Sequence, residues 1–158
     1  MLPQEKADLL IGMEKKRVNR ENYQFPMPGE SLSIPIISVD ETESFLLDLS
    51  RGKIRLTKCS YNERYQGNIV LVRLDADGSP HTNPDVLEVP LPYLADYNGV
   101  TLPCPHLHLY VENYMDKWAI PAPADKFTQA DNLYATLEDF FRYCYIDEAP
   151  IIQKGLFL

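Results

Sequence analysis

The chain has 158 residues, a formal net charge of −8 and 45% hydrophobic residues. This length is typical of one domain with its own core, so we expect residues 1–158 to form a single domain. The acidic balance argues against indiscriminate nucleic-acid binding. No apolar run approaches the ~20 residues of a membrane span, and residues 1–6 lack the pattern of a signal peptide. We therefore expect no membrane association and a cytoplasmic location.

Three cysteines stand at widely spaced positions, Cys59, Cys104 and Cys144. Their odd number and the absence of a Cys-x-x-Cys pair fit neither a disulfide framework nor a zinc ribbon. We predict free thiols and no bound cofactor.

In chain order, the first predicted element is a helix over residues 4–17, in which Ala7, Leu10 and Ile11 follow helical spacing. Alternating segments follow it and predict strands joined by short antiparallel turns. These segments are residues 31–39, 44–50, 53–61 and 67–75.

The second half of the chain is less regular. Residues 79–85 are rich in turn formers, and the proline-broken residues 86–104 predict an insertion or flap. A strand over residues 105–112 and a short one at 118–120 follow. Residues 128–145 show an amphipathic pattern, which predicts a helix with Thr128 as its N-cap.

These elements predict an α+β fold. It consists of an N-terminal helix, a strongly bent antiparallel sheet of five or six strands, and a C-terminal helix packed across that sheet. The tail over residues 150–158 is apolar, so we expect it to dock on the sheet or to form a homodimer contact.

The candidate site is on the predicted strand at 105–112. Period-two alternation places His106, His108 and Tyr110 on one face, and Leu107 and Leu109 on the other. We predict that the face with the leucines is buried in the core, so the face with the histidines is the candidate site. His81, the third histidine of the chain, lies in the preceding loop.

A basic segment stands out in the acidic chain. Residues 51–73 contain six basic residues and one acidic residue, or +5, which leaves −13 for the rest of the chain. Such a segment is either an anion site or the solvated face of a hairpin. The anion-binding candidates are Arg51, Arg55 and Arg73.

One hypothesis is metal-independent phosphodiester chemistry, as in ribonuclease-like toxins. His106 and His108 divide the general base and acid roles, and His81 or Tyr110 assists them. The three arginines hold the phosphate, and RNA is then the partner.

A second hypothesis is a metal site at His106, His108 and His81. Two imidazoles at i and i+2 of a strand lie about 6.6–6.8 Å apart at Cα, a separation that one ion can bridge. His106-x-His108 followed by Glu112 also resembles part of the first cupin motif, over about twenty residues. The cupin glycine spacing and the later cupin histidine have no counterpart here.

A third hypothesis is a protein-binding module of a mobile element, comparable to an inhibitor or antitoxin. The acidic surface, the apolar tail and the ten tyrosines fit an interface. The histidines then serve only as hydrogen-bonding groups on the sheet surface.

Four blocks of the sequence, residues 72–75, 78–85, 105–112 and 116–119, form a further pattern. This pattern resembles a family of small uncharacterised proteins from bacteria and their prophages. The resemblance spans roughly residues 50–150 and implies a bacterial or phage context without a named activity. In that family pattern, glycines stand where this chain has Val86 and Asn113.

Overall fold

The computed structural model describes residues 1–129 and 131–155. Two α-helices, one 3-10 helix and twelve strands make up the regular structure of these residues. The helices are α1 (Gln4–Gly12), the 3-10 helix (Pro92–Tyr97) and α2 (Leu133–Tyr143). The strands are β1 (Lys15–Arg17), β2 (Asn22–Gln24), β3 (Ser31–Ser38), β4 (Ser44–Arg51), β5 (Cys59–Tyr65), β6 (Ile69–Asp77), β7 (His81–Thr82), β8 (Thr101–Leu102), β9 (His106–Leu109), β10 (Ala119–Pro121), β11 (Ile146–Glu148) and β12 (Ile151–Gln153).

Eight of the strands form one sheet in the order β10-β9-β6-β5-β4-β3-β1-β11. All neighbours are antiparallel except β1 and β11, which run parallel. The α+β class is confirmed, but the sheet has eight strands, more than the five or six that we predicted. The short strand predicted at 118–120 is β10. The two additional strands, β1 and β11, have three residues each, too few for an alternating pattern to be visible.

The predicted N-terminal helix was too long. It ends at Gly12, a residue with poor helix propensity, and residues 15–17 continue as β1 instead of a last helical turn. Lys15 is fully buried there, and its ammonium donates to the carbonyl oxygens of Ile11, Met13 and Cys144 at 2.8–3.1 Å.

Two further predictions are corrected. The strand expected over residues 53–61 begins only at Cys59, because residues 52–58 form a loop closed by a hydrogen bond from the Gly52 N–H to the Lys58 carbonyl at 2.8 Å. The cap of α2 is Asn132 rather than Thr128, and its side chain accepts from the Ala135 N–H at 3.0 Å.

The apolar tail pairs within the chain. Strand β12 lies parallel to β2, and the Tyr134 hydroxyl donates to the Ile152 carbonyl at 2.7 Å. Residues 156–158, the end of the predicted docking tail, lie outside the described residues.

Both helices cover one face of the large sheet, where the main core lies. Tyr61 of β5 packs on Phe140 of α2 with ring centroids 5.9 Å apart, and its hydroxyl donates to the Leu133 carbonyl. Leu10 of α1 joins the same core, which also contains the inward residues of β3 to β6. The apolar face of the sheet is therefore fixed by packing against the helices.

The opposite face of the sheet is polar. The strand registers align two rows of side chains across β3, β4, β5, β6 and β9. One row is Ser33, Asp48, Asn62, Arg73 and His108; the other is Ser31, Ser50, Ser60, Asp75 and His106.

The segment from Gly78 to Pro105 contains β7, the 3-10 helix and β8. Asn83 attaches this segment to β10, because its amide and the Ala119 backbone exchange two hydrogen bonds of 2.8 Å. A small second core around Leu94, Val111 and Trp118 stabilises it. Through β7, the segment places His81 over the histidine end of the polar face.

Among the described residues, no helix combines the length and the apolar character needed to cross a membrane.

Candidate functional site

The structure brings all three histidines together. The ring centroids of His106 and His108 on β9 are 5.1 Å apart, and those of His81 on β7 lie 5.8 Å and 4.5 Å from them. The two β9 rings share a face because they alternate with Leu107, which is fully buried on the helix side of the sheet.

Each imidazole has one ring nitrogen against a backbone carbonyl. A carbonyl oxygen only accepts hydrogen bonds, so the facing nitrogen carries the hydrogen. The remaining nitrogens are Nε2 of His106 and His108, and Nδ1 of His81. The carbonyls are those of Pro103 at 3.2 Å for His106, Asp116 at 2.8 Å for His108 and Lys117 at 2.9 Å for His81.

Asp75 on β6 faces the two β9 rings. Its Oδ2 lies 2.9 Å from Nε2 of His106 and 3.4 Å from Nε2 of His108. One ligand-type atom from each of Asp75, His106 and His108 lies within 4.8 Å of the other two. Two ligands about 2.0–2.2 Å from a common ion, at tetrahedral or octahedral angles, are separated by about 3.0–3.5 Å. The two distances from Asp75 match or closely approach that range.

Arg73 supplies a positive charge next to this cluster. Its Nη2 donates to Oδ2 of Asp75 at 2.9 Å and to Nε2 of His108 at 3.1 Å, while Nη1 donates to Asp116 at 3.2 Å. Since Nε2 of His108 accepts from this guanidinium, the 3.4 Å approach to Asp75 is not a hydrogen bond from His108. Nδ1 of His108 therefore carries the hydrogen that faces the Asp116 carbonyl.

The surroundings change the pKa of two members of the cluster. Burial opposes ionisation of Asp75, but the polar contacts of this carboxyl with His106, His108 and Arg73 outweigh burial and hold its pKa below the ordinary value. Burial, with the neighbouring positive charges, lowers the pKa of His81, although its bond to the Lys117 carbonyl acts in the opposite direction.

The cluster is recessed. His106 and His108 are 0% and 1% exposed, whereas the side chains of Asp75 and Arg73 keep 18% and 29% of their surface in contact with solvent. A cleft of about 550 Å³ reaches the cluster from the polar face of the sheet. Its lining includes Ser60, Asn62, Arg73, Asp75, His81 and His106.

The other predicted site residues lie elsewhere. Tyr110 follows the end of β9, belongs to the main core, and donates its hydroxyl to the Leu2 carbonyl. Arg51 is 8% exposed and donates to the carbonyls of Pro26 and Leu56. Arg55 is exposed in the 52–58 loop, where it pairs with Asp77 at 2.7 Å. Only Arg73 of the three arginines contacts a histidine of the cluster.

Sequence reasoning missed Asp75. The signal was present, because Arg73 and Asp75 alternate with Leu74 just as His106 and His108 alternate with Leu107. The register Arg73–His108 and Asp75–His106 joins the two patterns. That register depends on β6 and β9 being neighbours, which local alternation does not reveal.

No curated protein and no solved structure matches the chain. A protein-family model does match it, over residues 2–146, a span that contains the whole histidine cluster and its cleft. The chain therefore belongs to the family of unknown function DUF6978.

Proposed function

We propose that Asp75, His106 and His108 hold a divalent transition-metal ion and that the protein acts through water bound to this ion. Two imidazoles and one carboxylate suit zinc, iron, nickel or manganese, and three protein ligands leave a coordination position open for water. The ion lowers the pKa of that water, which makes it a nucleophile near neutral pH.

The observation that carries the proposal is the orientation of the rings. Backbone carbonyls hold the hydrogens of His106 and His108 on Nδ1, and Nε2 of each ring faces Asp75. Where Nε2 carries no second hydrogen, it faces the Asp75 carboxylate as another acceptor, at 2.9 Å for His106 and 3.4 Å for His108, an arrangement that a cation stabilises. Carbonyls of this kind orient the ligands of most histidine metal sites.

Arg73 competes for the same position. Its Nη2 lies within 3.1 Å of both Asp75 and His108, so metal binding requires this guanidinium to move toward Asp116, which its Nη1 already contacts. The alternative is a structural network in which Arg73 and a second proton on His106 supply the positive charge.

His81 has a supporting role in the proposal. His81 lines the cleft, and with its Nε2 hydrogen on the Lys117 carbonyl, its Nδ1 is left as an acceptor. It accepts a hydrogen bond from the metal-bound water rather than acting as a third histidine ligand. The burial of His106 and His108 favours this mechanism over metal-independent phosphodiester chemistry, which requires direct contact between these rings and the substrate.

The test is calorimetric titration of the EDTA-treated protein with Zn²⁺, Ni²⁺ and Mn²⁺. We expect one site per chain, loss of at least 100-fold in affinity in Asp75→Asn and His108→Gln, and a smaller loss of about 10-fold or more in His81→Gln. Asp77→Asn is the matched control, since Asp77 lies two residues further along the same face of β6.

Circular dichroism of each metal-free variant shows whether it folds. The proposal is wrong if the folded wild type binds none of the three ions stoichiometrically, or if Asp77→Asn weakens binding as much as Asp75→Asn. In that case the cluster is the structural network of Arg73.

The free thiols of Cys59, Cys104 and Cys144 also fit the reducing cytoplasm that we infer for the protein.

A further inference from the structure

The cleft above Asp75 does not end at the histidine cluster. A second hollow of about 530 Å³ adjoins it along the 52–58 loop. The two hollows share Gly52, Lys58, Gly78, Ser79 and Pro80 as lining residues. The two hollows are therefore adjacent, and their combined lining, which we call the trough, extends from His106 to Ile54.

The outer part of this trough is basic. Residues 51–58 contain four basic residues and no acidic one, in a chain whose net charge is −8. Arg51 is turned inward and Arg55 pairs with Asp77. Among the described residues, no carboxylate lies within 4.0 Å of the ammonium groups of Lys53 and Lys58. These two lysines therefore offer uncompensated charge to an anion.

The same loop exposes apolar side chains beside the lysines. Ile54 is 97% exposed and Leu56 is 61% exposed. The loop is nevertheless closed by backbone hydrogen bonds from Gly52 to Lys58 at 2.8 Å and from Lys58 to Arg55 at 3.1 Å. Ile54 is thus presented on an ordered turn, with cations on both sides.

We propose that the trough binds single-stranded nucleic acid. Phosphates contact Lys53 and Lys58, an unstacked base packs on Ile54, and the next phosphate enters the cleft at Asp75 and His106. The strand supplies the substrate of the metal centre, so the entry of a phosphate at Asp75 rests on the proposed function. The contacts with Lys53, Lys58 and Ile54 do not depend on the metal.

The depth of the cluster favours a single strand over a duplex. His106 and His108 are 0% and 1% exposed, so a phosphate reaches their ion only by entering the cleft. A flexible single strand can place one phosphate there, whereas a stiff duplex keeps its phosphates on the outer surface. A positively charged groove that follows the backbone is a common feature of single-strand binding without sequence preference. Here Ile54 offers an apolar contact to a base in place of the usual aromatic stacking.

The test is fluorescence anisotropy with a labelled eight-nucleotide single-stranded RNA and its DNA counterpart, in EDTA and with Zn²⁺. We expect binding that weakens about tenfold between 50 and 200 mM salt, as two or three phosphate contacts require. The double variant Lys53→Glu/Lys58→Glu should lose at least tenfold in affinity. Ile54→Ser should lose affinity without changing the salt dependence.

The matched control is the double variant Lys126→Glu/Lys154→Glu, which makes the same change in charge on the helix side of the sheet. Lys126 borders α1 and α2, and Lys154 lies over the ring of Tyr134. It should weaken binding less than threefold. A mononucleotide and the matching duplex should compete at least tenfold less well than the octamer.

Several results overturn the inference. They are the absence of oligonucleotide binding both in EDTA and with Zn²⁺, an equal loss in the two double variants, equal competition by the duplex, and binding to phosphatidylglycerol vesicles in place of the oligonucleotide. If the protein binds the oligonucleotide but no metal ion, the nucleic-acid inference stands and the metal-site proposal is wrong. If it binds the metal ion but no oligonucleotide, the metal-site proposal stands and the nucleic-acid inference is wrong.

Discussion

Lys15 and Glu63 form a charged pair inside the core. Both side chains are fully buried, with the ammonium 3.4 Å from the carboxylate. Lys15 has three carbonyl partners, whereas neither oxygen of Glu63 has a hydrogen-bond partner among the described residues. Burial therefore raises the pKa of Glu63 to about 7, although Lys15 acts against the rise. The carboxylate is the less well accommodated of the two groups.

The raised pKa of Glu63 predicts a loss of stability as the pH rises. The folded state binds the Glu63 proton up to about pH 7, while the unfolded chain releases it near its ordinary value of 4.5. Across that window the wild type should lose up to about 3 kcal/mol of unfolding free energy relative to Glu63→Gln. Urea unfolding at pH 5 and pH 8 measures the difference.

The control for this experiment is Glu41→Gln, at an exposed carboxylate that pairs with Lys16 on the surface. Its stability relative to the wild type should change by less than 1 kcal/mol between the two pH values. Parallel pH profiles for the wild type and Glu63→Gln would contradict the prediction and indicate that Lys15 keeps the carboxylate ionised.

At the scale of single elements, the 52–58 loop depends on Gly52. A Cβ at this position would lie 2.7 Å from Cβ of Lys58 and 3.0 Å from the carbonyl oxygen of Arg55. Neither atom is the far end of a flexible side chain, so the loop would have to open. The geometry of the outer trough is thus tied to one glycine.

Gly52→Ala should lower the unfolding free energy by about 1–3 kcal/mol, because it overpacks a closed turn. Gly12→Ala is the matched control, since a Cβ there meets nothing within 4 Å and a helical alanine is stable or slightly stabilising. Chemical denaturation of both variants is the measurement. Equal stability of the two would show that the loop opens at no cost.

The elements that could be predicted from the sequence are those with enough residues to show a period. β3, β4 and β6 each have at least eight residues and alternate or run apolar, and they lie where the alternation predicted them. Residues 53–58 also alternate, but there the pattern reflects an exposed loop. Alternation of polar and apolar residues is therefore not enough to predict a strand. A segment becomes a strand only when its backbone also pairs with a neighbouring strand.

Only part of the candidate site could be predicted from the sequence. The shared face of His106 and His108 follows from local alternation, whereas Asp75 and His81 join them through strand order and through the segment carrying β7. Tyr110 does not lie on the face that the alternation predicted, because β9 ends one residue earlier, at Leu109. Contacts between distant segments therefore determine the ligand set.

At the scale of the whole molecule, the two ends of the chain stabilise each other. β11 lies beside β1, and β12 lies beside β2. Ile152 of β12 is 5% exposed and packs in the main core. The N-terminal and C-terminal segments thus share one core with the central sheet.

A chain ending at Ala149 should therefore be less stable. Loss of the buried Ile152 side chain removes about 1.5–3 kcal/mol, which corresponds to a fall of about 3–12 °C in the melting temperature at this chain length. Thermal unfolding followed by circular dichroism is the measurement. Ile151→Ala is the control, since Ile151 is 38% exposed and should change the midpoint little. An unchanged midpoint in the truncated chain would show that β12 contributes nothing.

The pairing of β1 with β11 and of β2 with β12 also governs the order of events during synthesis. Residues 15–24 leave the ribosome early, but their partners at 146–153 are made more than a hundred residues later. Until then the edge of β1 that β11 will occupy is open to pairing with other chains. Translation that stops early would release such chains, and their exposed edges make them prone to aggregate or to bind a chaperone.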